Sequence, residues 1–141
     1  MTTIFDRIIA KEIPAHIVYE DERVIAFLDI KPINKGHILV VPKTPFKDIF
    51  DADEEALAHM IKTAAKIGRV LKETLPCNGI NLIMNNGAAA GQEIFRAHLH
   101  VVPRFSGDGA LLPPKHEEYG AGEMSALAER FAEALQSEGG A

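Results

Sequence analysis

A chain of 141 residues is expected to form one domain large enough for a full hydrophobic core. Its composition, 47% hydrophobic and 25% charged, is that of an ordinary globular domain, and no apolar run is long enough to span a membrane. The net charge of -5 argues against a nucleic-acid polymer as partner, but leaves room for a small anion held by a few local cations and N–H groups.

The N-terminal stretch MTTIFDRIIAKEIP has charges inside its apolar pattern and lacks a secretory core and cleavage site, so a cytoplasmic location is expected. Thr3 and Asp6 have the spacing of a helix cap, and Ile4, Phe5, Ile8 and Ile9 make one apolar face of a short helix that Pro14 limits. Ile17 to Glu20 and Arg23 to Asp29 read as two strands joined by a charged turn. A loop from Pro32 to Gly36 leads to a third strand, His37 to Val41, closed by Pro42. Asp51 to Glu54 is a second capping signal. Leu57, Met60, Ile61, Ala64, Ala65, Gly68 and Leu71 then recur at helical spacing, which predicts a long helix ending near Thr74.

Cys77, in LPCNG, is the single cysteine, which excludes an internal disulfide; it reads as a passive turn residue. Ile80 to Met84 and Phe95 to Val102 are the fourth and fifth predicted strands. Ser106 to Gly122, with its paired prolines Pro113 and Pro114, reads as an extended surface segment. Met124, Leu127, Ala128, Phe131 and Leu135 mark a final amphipathic helix, and Ser137 to Ala141 is expected to fray. Short turns and only one long intervening helix predict an α+β domain with a mainly antiparallel sheet.

The chemistry concentrates in NNGAAAGQEIFRAHLHVVPR, residues 85–104. Residues two apart in a strand share a face, so His98 and His100 stand side by side with Arg96 in line before them, while Leu99 and Val101 face the other way. Three readings follow. The two rings are hydrogen-bonded structural histidines; or they join His37 as zinc ligands; or they act as nucleophile and acid–base groups. Arg96 in the row would repel a metal and attract a phosphate. The small-residue loop Gly87 to Gly91 is either a plain hairpin connection or an anion cradle flanked by Asn85 and Gln92. Asp29 reads as a strand-end cap or an acceptor for a ribose diol. Phe5, Phe27 and Ile30 read as core or as an aromatic base pocket. His16, His59 and His116 carry no assigned role.

Thr3 to Arg104, with TIFDRIIAKEIPAHIVYEDERVIAFLDIKPINKGHILVVPK followed by NNGAAAGQEIFRAHLHVVPR, resembles the histidine triad family. It is closest to the branch of small histidine triad nucleotide-binding proteins. The resemblance implies a five-stranded antiparallel sheet with one long helix and shorter terminal helices. Residues 106–141, past the match and read on their own, are expected to be an extension whose helix packs on the domain, while the resemblance makes residues 1–105 the nucleotide-binding domain. It further implies a homodimer with a continuous ten-stranded sheet. The ligands implied are purine nucleoside monophosphates or their conjugates, cleaved at the α-phosphorus, with phosphoramidates as typical substrates.

On that resemblance His98 is the nucleophile, His100 stands by the phosphate and leaving group, and His37 orients the nucleophilic ring. Asn85, Gly91, Gln92 and Arg96 fall near the phosphate, with Gln92 also near the scissile bridge. Asp29 falls on the ribose acid, and Ile4, Phe5, Phe27 and Ile30 on the base pocket. The chain departs from the pattern at Arg96, where the family has the first triad histidine. The backbone carbonyl there survives the change, but a side-chain contact to His37 does not, because arginine is an obligate cation without an acceptor. Relatives that bind structural zinc carry a cysteine pair at the positions of Thr3 and Asp6, so no metal and no cofactor are expected. Two alternatives to the hydrolase stay open: a nucleotide-binding module with vestigial activity, motivated by Arg96, and a metal-dependent hydrolase using His37, His98 and His100.

Overall fold

The computed structural model describes residues 2–111 and 115–139. Helix α1 spans Ile4–Ile9, α2 Glu54–Thr74 and α3 Glu123–Gly139. The strands are β1 Ile17–Glu20, β2 Val24–Leu28, β3 Ile38–Pro42, β4 Gly79–Ile83 and β5 Leu99–Arg104. All neighbouring pairs are antiparallel, in the order β1-β2-β3-β5-β4, so the fold is the expected α+β arrangement on a five-stranded sheet. The chain divides into two compact units, Met1–Ala110 with the sheet, α1 and α2, and Leu111–Ala141 with α3. Pro113, Pro114, Gly140 and Ala141 lie outside the described residues. No helix among the described residues is long and apolar enough to cross a membrane.

Local chemistry accounts for the helix starts. Thr3 Oγ accepts from the Asp6 N–H at 3.2 Å, and the Asp6 carboxylate accepts from the Thr3 N–H at 2.8 Å, a reciprocal cap. Asp53 caps α2 through the Ala56 N–H at 2.9 Å. The buried stripe of α2 is Ala56, Met60, Thr63, Ala64, Ile67, Gly68 and Leu71, with Ile61 facing outward. It is therefore rotated slightly from the stripe expected from the sequence.

Strand alternation sorts the core onto two faces of the sheet. Val24, Ala26, Ile38, Val40, Leu99 and Val101 pack with Met60, Ala64 and Ile67 of α2. Ile25, Phe27, Leu39 and Val41 pack with Phe5 and Ile8 of α1. His98 and His100 fall on the α1 side, because Leu99 and Val101 belong to the α2 side. β5 begins only at Leu99, paired with Val40, and runs through Pro103 to Arg104. The strand expected from Phe95 to Val102 is therefore shifted toward the C-terminus, and Arg96 lies before it. Gly36 makes the turn into β3 at φ +99°, where a Cβ would stand 2.9 Å from the Leu75 side chain.

Candidate active site

A cavity of about 430 Å³ opens on the α1 side of the sheet. Ile4, Phe5 and Ile8 of α1 form one wall, and Phe27, Leu28 and Leu39 form its floor. Asp29, Ile30 and Lys31 line the rim after β2; Asn85, Gly91, Glu93 and Ile94 line it after β4; His98 and His100 complete it. Asp29, Asn85, Gly91, His98 and His100 are thus brought together with Ile4, Phe5, Phe27 and Ile30, although Ile30 is 85% exposed and sits at the edge. Ile8, Ile13, Pro14, Ala15 and His16 also line the cavity. The turn after α1 that brings in the last four leaves no periodic signal in the sequence.

The tautomer of each histidine follows from its partners. Ile33 N–H donates to His37 Nδ1 at 3.0 Å, so that nitrogen carries a lone pair. The neutral ring then holds its proton on Nε2 and donates it to His100 Nδ1 at 2.9 Å. His100 in turn carries its proton on Nε2. His98 is fixed the other way, since its Nδ1–H donates to the carbonyl of Arg96 at 2.8 Å, leaving a lone pair on Nε2. Two adjacent rings, centroids 5.0 Å apart, therefore present an electron pair and an N–H.

Burial keeps these rings neutral. It lowers His98 below the ordinary histidine range, against the opposing pull of the Arg96 carbonyl and Asp29. It also lowers His37, which is 2% exposed, with Asp29 opposing. Burial, with His98 and His37 adding to it, pushes His100 down to about 4. A neutral imidazole with a free Nε2 is a competent nucleophile near neutral pH.

Three expected roles need correction in geometry. His37 bonds to His100, not to His98, so it orients the second ring; the nucleophile candidate is held by the Arg96 carbonyl instead. Gln92 is buried and its amide is spent inside the loop: Nε2 donates to the carbonyls of Lys47 and Ile94, and Oε1 accepts from Gly87 N–H. The Arg96 guanidinium is turned away from the cavity. Its Nε donates to Asp6 Oδ1 at 2.8 Å and its Nη2 to the Lys43 carbonyl at 3.3 Å. An arginine at this position meets a carboxylate before it meets solvent, and the pair captures it.

The Gly87–Gly91 connection follows its plainer reading. The N–H groups of Ala90, Gly91 and Gln92 bond to carbonyls within the loop, and Gly91, at φ +96°, closes a 3-10 turn against Asn85. Asp29 accepts from Lys31 N–H through Oδ1 at 2.9 Å, while Oδ2 stands 3.7 Å from His37 Nε2.

Metal binding can be tested on the same bonds. Ligand atoms of Asp29, His37 and His100 lie within 4.8 Å of one another. Ligation through His37 Nε2 would move its proton to Nδ1, where it would meet Ile33 N–H, donor against donor. The trio suits a hydrogen-bond relay, not a cation. Thr3 and Asp6 are occupied by the helix cap, and Asp6 already faces a guanidinium, so a cation does not fit there either.

The HIT domain family model matches residues 10–107. An uncharacterized HIT-like protein of Methanocaldococcus jannaschii is 49% identical over 109 residues, covering 77% of this chain and 84% of that protein. The crystal structure of a HIT family member from Bacillus subtilis superposes with a TM-score of 0.86 at 33% identity, over 94% of this chain and 96% of that one. That of a histidine triad nucleotide-binding protein from Candida albicans superposes with a TM-score of 0.85 at 28% identity, over 96% and 99%.

Proposed function

The chain belongs to the HIT domain family, and from that premise we propose that it hydrolyses nucleoside phosphoramidates or related nucleotidyl conjugates at the α-phosphorus. The observation that carries this reading is the opposed pair of tautomers at the cavity: a lone pair on His98 Nε2 beside an N–H on His100 Nε2. In the first step His98 Nε2 forms a bond to the α-phosphorus while the bond to the leaving nitrogen breaks. The departing amine takes its proton from water. His100 Nε2–H bonds a phosphoryl oxygen and stabilises the charge that gathers there, a contact that strengthens in the transition state. Water then attacks the phosphorus, the P–N bond to His98 breaks, and the nucleoside monophosphate leaves.

In this reading Asp29 Oδ2, free of backbone bonds, accepts from a ribose hydroxyl, and Phe5 and Phe27 hold the base of a purine nucleotide. Asn85 and Gly91 border the phosphate end. Arg96 no longer favours a vestigial module, because the group that supports His98 is the backbone carbonyl at this position, which the change to arginine retains. A homodimer formed along a sheet edge belongs to the same reading, since β1 and β4 are the edge strands among the described residues. So does a cytoplasmic site of action.

The test is steady-state turnover of adenosine 5′-phosphoramidate in the presence of a chelator, with AMP binding measured beside it. Wild type is expected to turn over, and His98→Ala to fall to the background rate while still binding AMP. Full activity in His98→Ala would refute the nucleotidyl-histidine step.

A further inference from the structure

Behind the nucleophile, an ion pair joins two segments ninety positions apart, and we propose that this Arg96–Asp6 link is a positioning device for His98 and the nucleoside pocket. The proposal rests on the nucleotidyl-histidine reading above for its kinetic part only. Arg96 is 4% exposed, and its Nη1 is buried without a hydrogen-bond partner among the described residues. A buried guanidinium with one idle nitrogen is a poor space-filler, since desolvation of that group is not repaid. What the arrangement supplies is direction.

At one end the link fixes α1. Six residues are too few for a helix to hold itself, so its position comes from contacts. Phe5 and Ile8 pack on the sheet, and the Asp6 carboxylate adds the polar contacts. Oδ2 accepts from the N–H and the hydroxyl of Thr3, each at 2.8 Å, and Oδ1 accepts from Arg96 Nε at 2.8 Å. Burial acts to raise the Asp6 carboxyl, but the Thr3 N–H and the Arg96 guanidinium outweigh it and hold it below its usual range, so it stays an anion. α1 carries Phe5, whose ring meets His98 edge-on at 4.9 Å and Phe27 at 5.6 Å.

At the other end, the carbonyl of the same Arg96 accepts from His98 Nδ1–H at 2.8 Å. The Lys43 carbonyl, just after β3, takes Arg96 Nη2 and steadies the side chain from a third segment. One residue therefore grips the helix that walls the pocket with its side chain, and the nucleophile candidate with its backbone. Loosening the side chain frees both the Phe5 wall and the peptide that fixes the His98 tautomer. His98 is the group that would touch substrate; Arg96 and Asp6 act through it.

The experiment compares wild type with Asp6→Asn and Arg96→Lys, and with Asp6→Glu as the conservative variant that keeps the acid of the cap. Three readouts are taken: kcat and KM for adenosine 5′-phosphoramidate, thermal unfolding, and the imidazole ¹⁵N spectrum, with His98 assigned by His98→Ala. Asp6→Asn and Arg96→Lys are expected to lose about 10- to 100-fold in kcat, the scale of a reacting group misplaced by a fraction of an ångström to one ångström. Their His98 signals are expected to move from a single Nδ1–H form to a mixture. Asp6→Glu is expected to recover kcat to within a few-fold and to restore the signals. Lowered melting temperatures with unchanged His98 signals would overturn the proposal and leave the link a scaffold contact. If wild type shows no turnover, the hydrolase reading fails by itself, and the ¹⁵N spectrum alone decides for or against the link. If Asp6→Asn does not fold, Arg96→Lys, which keeps the charge, carries the same comparison.

Discussion

His100→Asn removes a titrating ring yet keeps an acceptor for the His37 Nε2–H. In wild type the folded ring is held at about 4, against 6.5 for the free side chain. Between those values the unfolded chain binds a proton that the folded chain refuses, so stability rises with pH across that window. The contribution is complete above the unfolded value and drains away as pH falls toward the folded one. Going from about pH 7.5 to about pH 5 should therefore cost wild type about 2 kcal/mol through this ring, at about 1.4 kcal/mol per pKa unit. Against the opposing effect of burial, the hydrogen bonds they accept hold Asp6, Asp21 and Asp51 below the ordinary carboxylate range, so these carboxylates stay ionised throughout and do not mimic the effect. The assay is equilibrium unfolding in guanidinium at both pH values. It is followed by far-UV circular dichroism, because the chain has no tryptophan. Wild type is expected to lose about 2 kcal/mol more than His100→Asn between the two conditions. Equal losses in the two proteins would refute the claim that the fold keeps His100 neutral.

Met60, fully buried between α2 and the sheet, should cost about 2–5 kcal/mol when cut to Ala, measured by the same unfolding assay at neutral pH. His37→Leu removes the donor that fixes the His100 proton on Nε2. Turnover should fall about 2- to 10-fold, the worth of one neutral hydrogen bond, with AMP affinity nearly unchanged in a direct binding measurement.

The parts of the fold readable from the sequence are those set by neighbours along the chain. Thr3 and Asp6 announce a cap because the cap closes within one turn. The shared face of His98 and His100 follows from strand alternation, which needs no knowledge of the partner strand. What fails is anything decided by a residue far away in sequence. Extending the alternation back to Phe95 puts Arg96 in line with the histidines, yet pairing with β3 reaches only to Leu99. Before that point Ala97 is still held, its N–H bonded to the Phe46 carbonyl and its side chain in the α2-side core, and the carboxylate of Asp6 on α1 decides where the guanidinium goes. Gln92 is the same case on a smaller scale, because its partners Lys47 and Gly87 lie on loops whose meeting no local pattern encodes. The relay from Ile33 through His37 to His100 was equally hidden, since a backbone N–H makes no mark in the sequence.

The place of β5 in the sheet also governs when the site can come into being. It is the last strand of the sheet to be synthesised, yet it is inserted between β3 and β4 and is paired on both sides. A nascent chain that has not yet released residue 104 leaves β3 with an open edge and has neither His98 nor His100 in position. Every contact that closes the sheet then joins segments distant along the chain, the kind of pairing that forms slowly and exposes edges to other chains meanwhile. The paired histidines of this molecule are thus a late product of folding: a chain that stops short of β5 holds the pocket's aromatic wall but not the ring pair beside it.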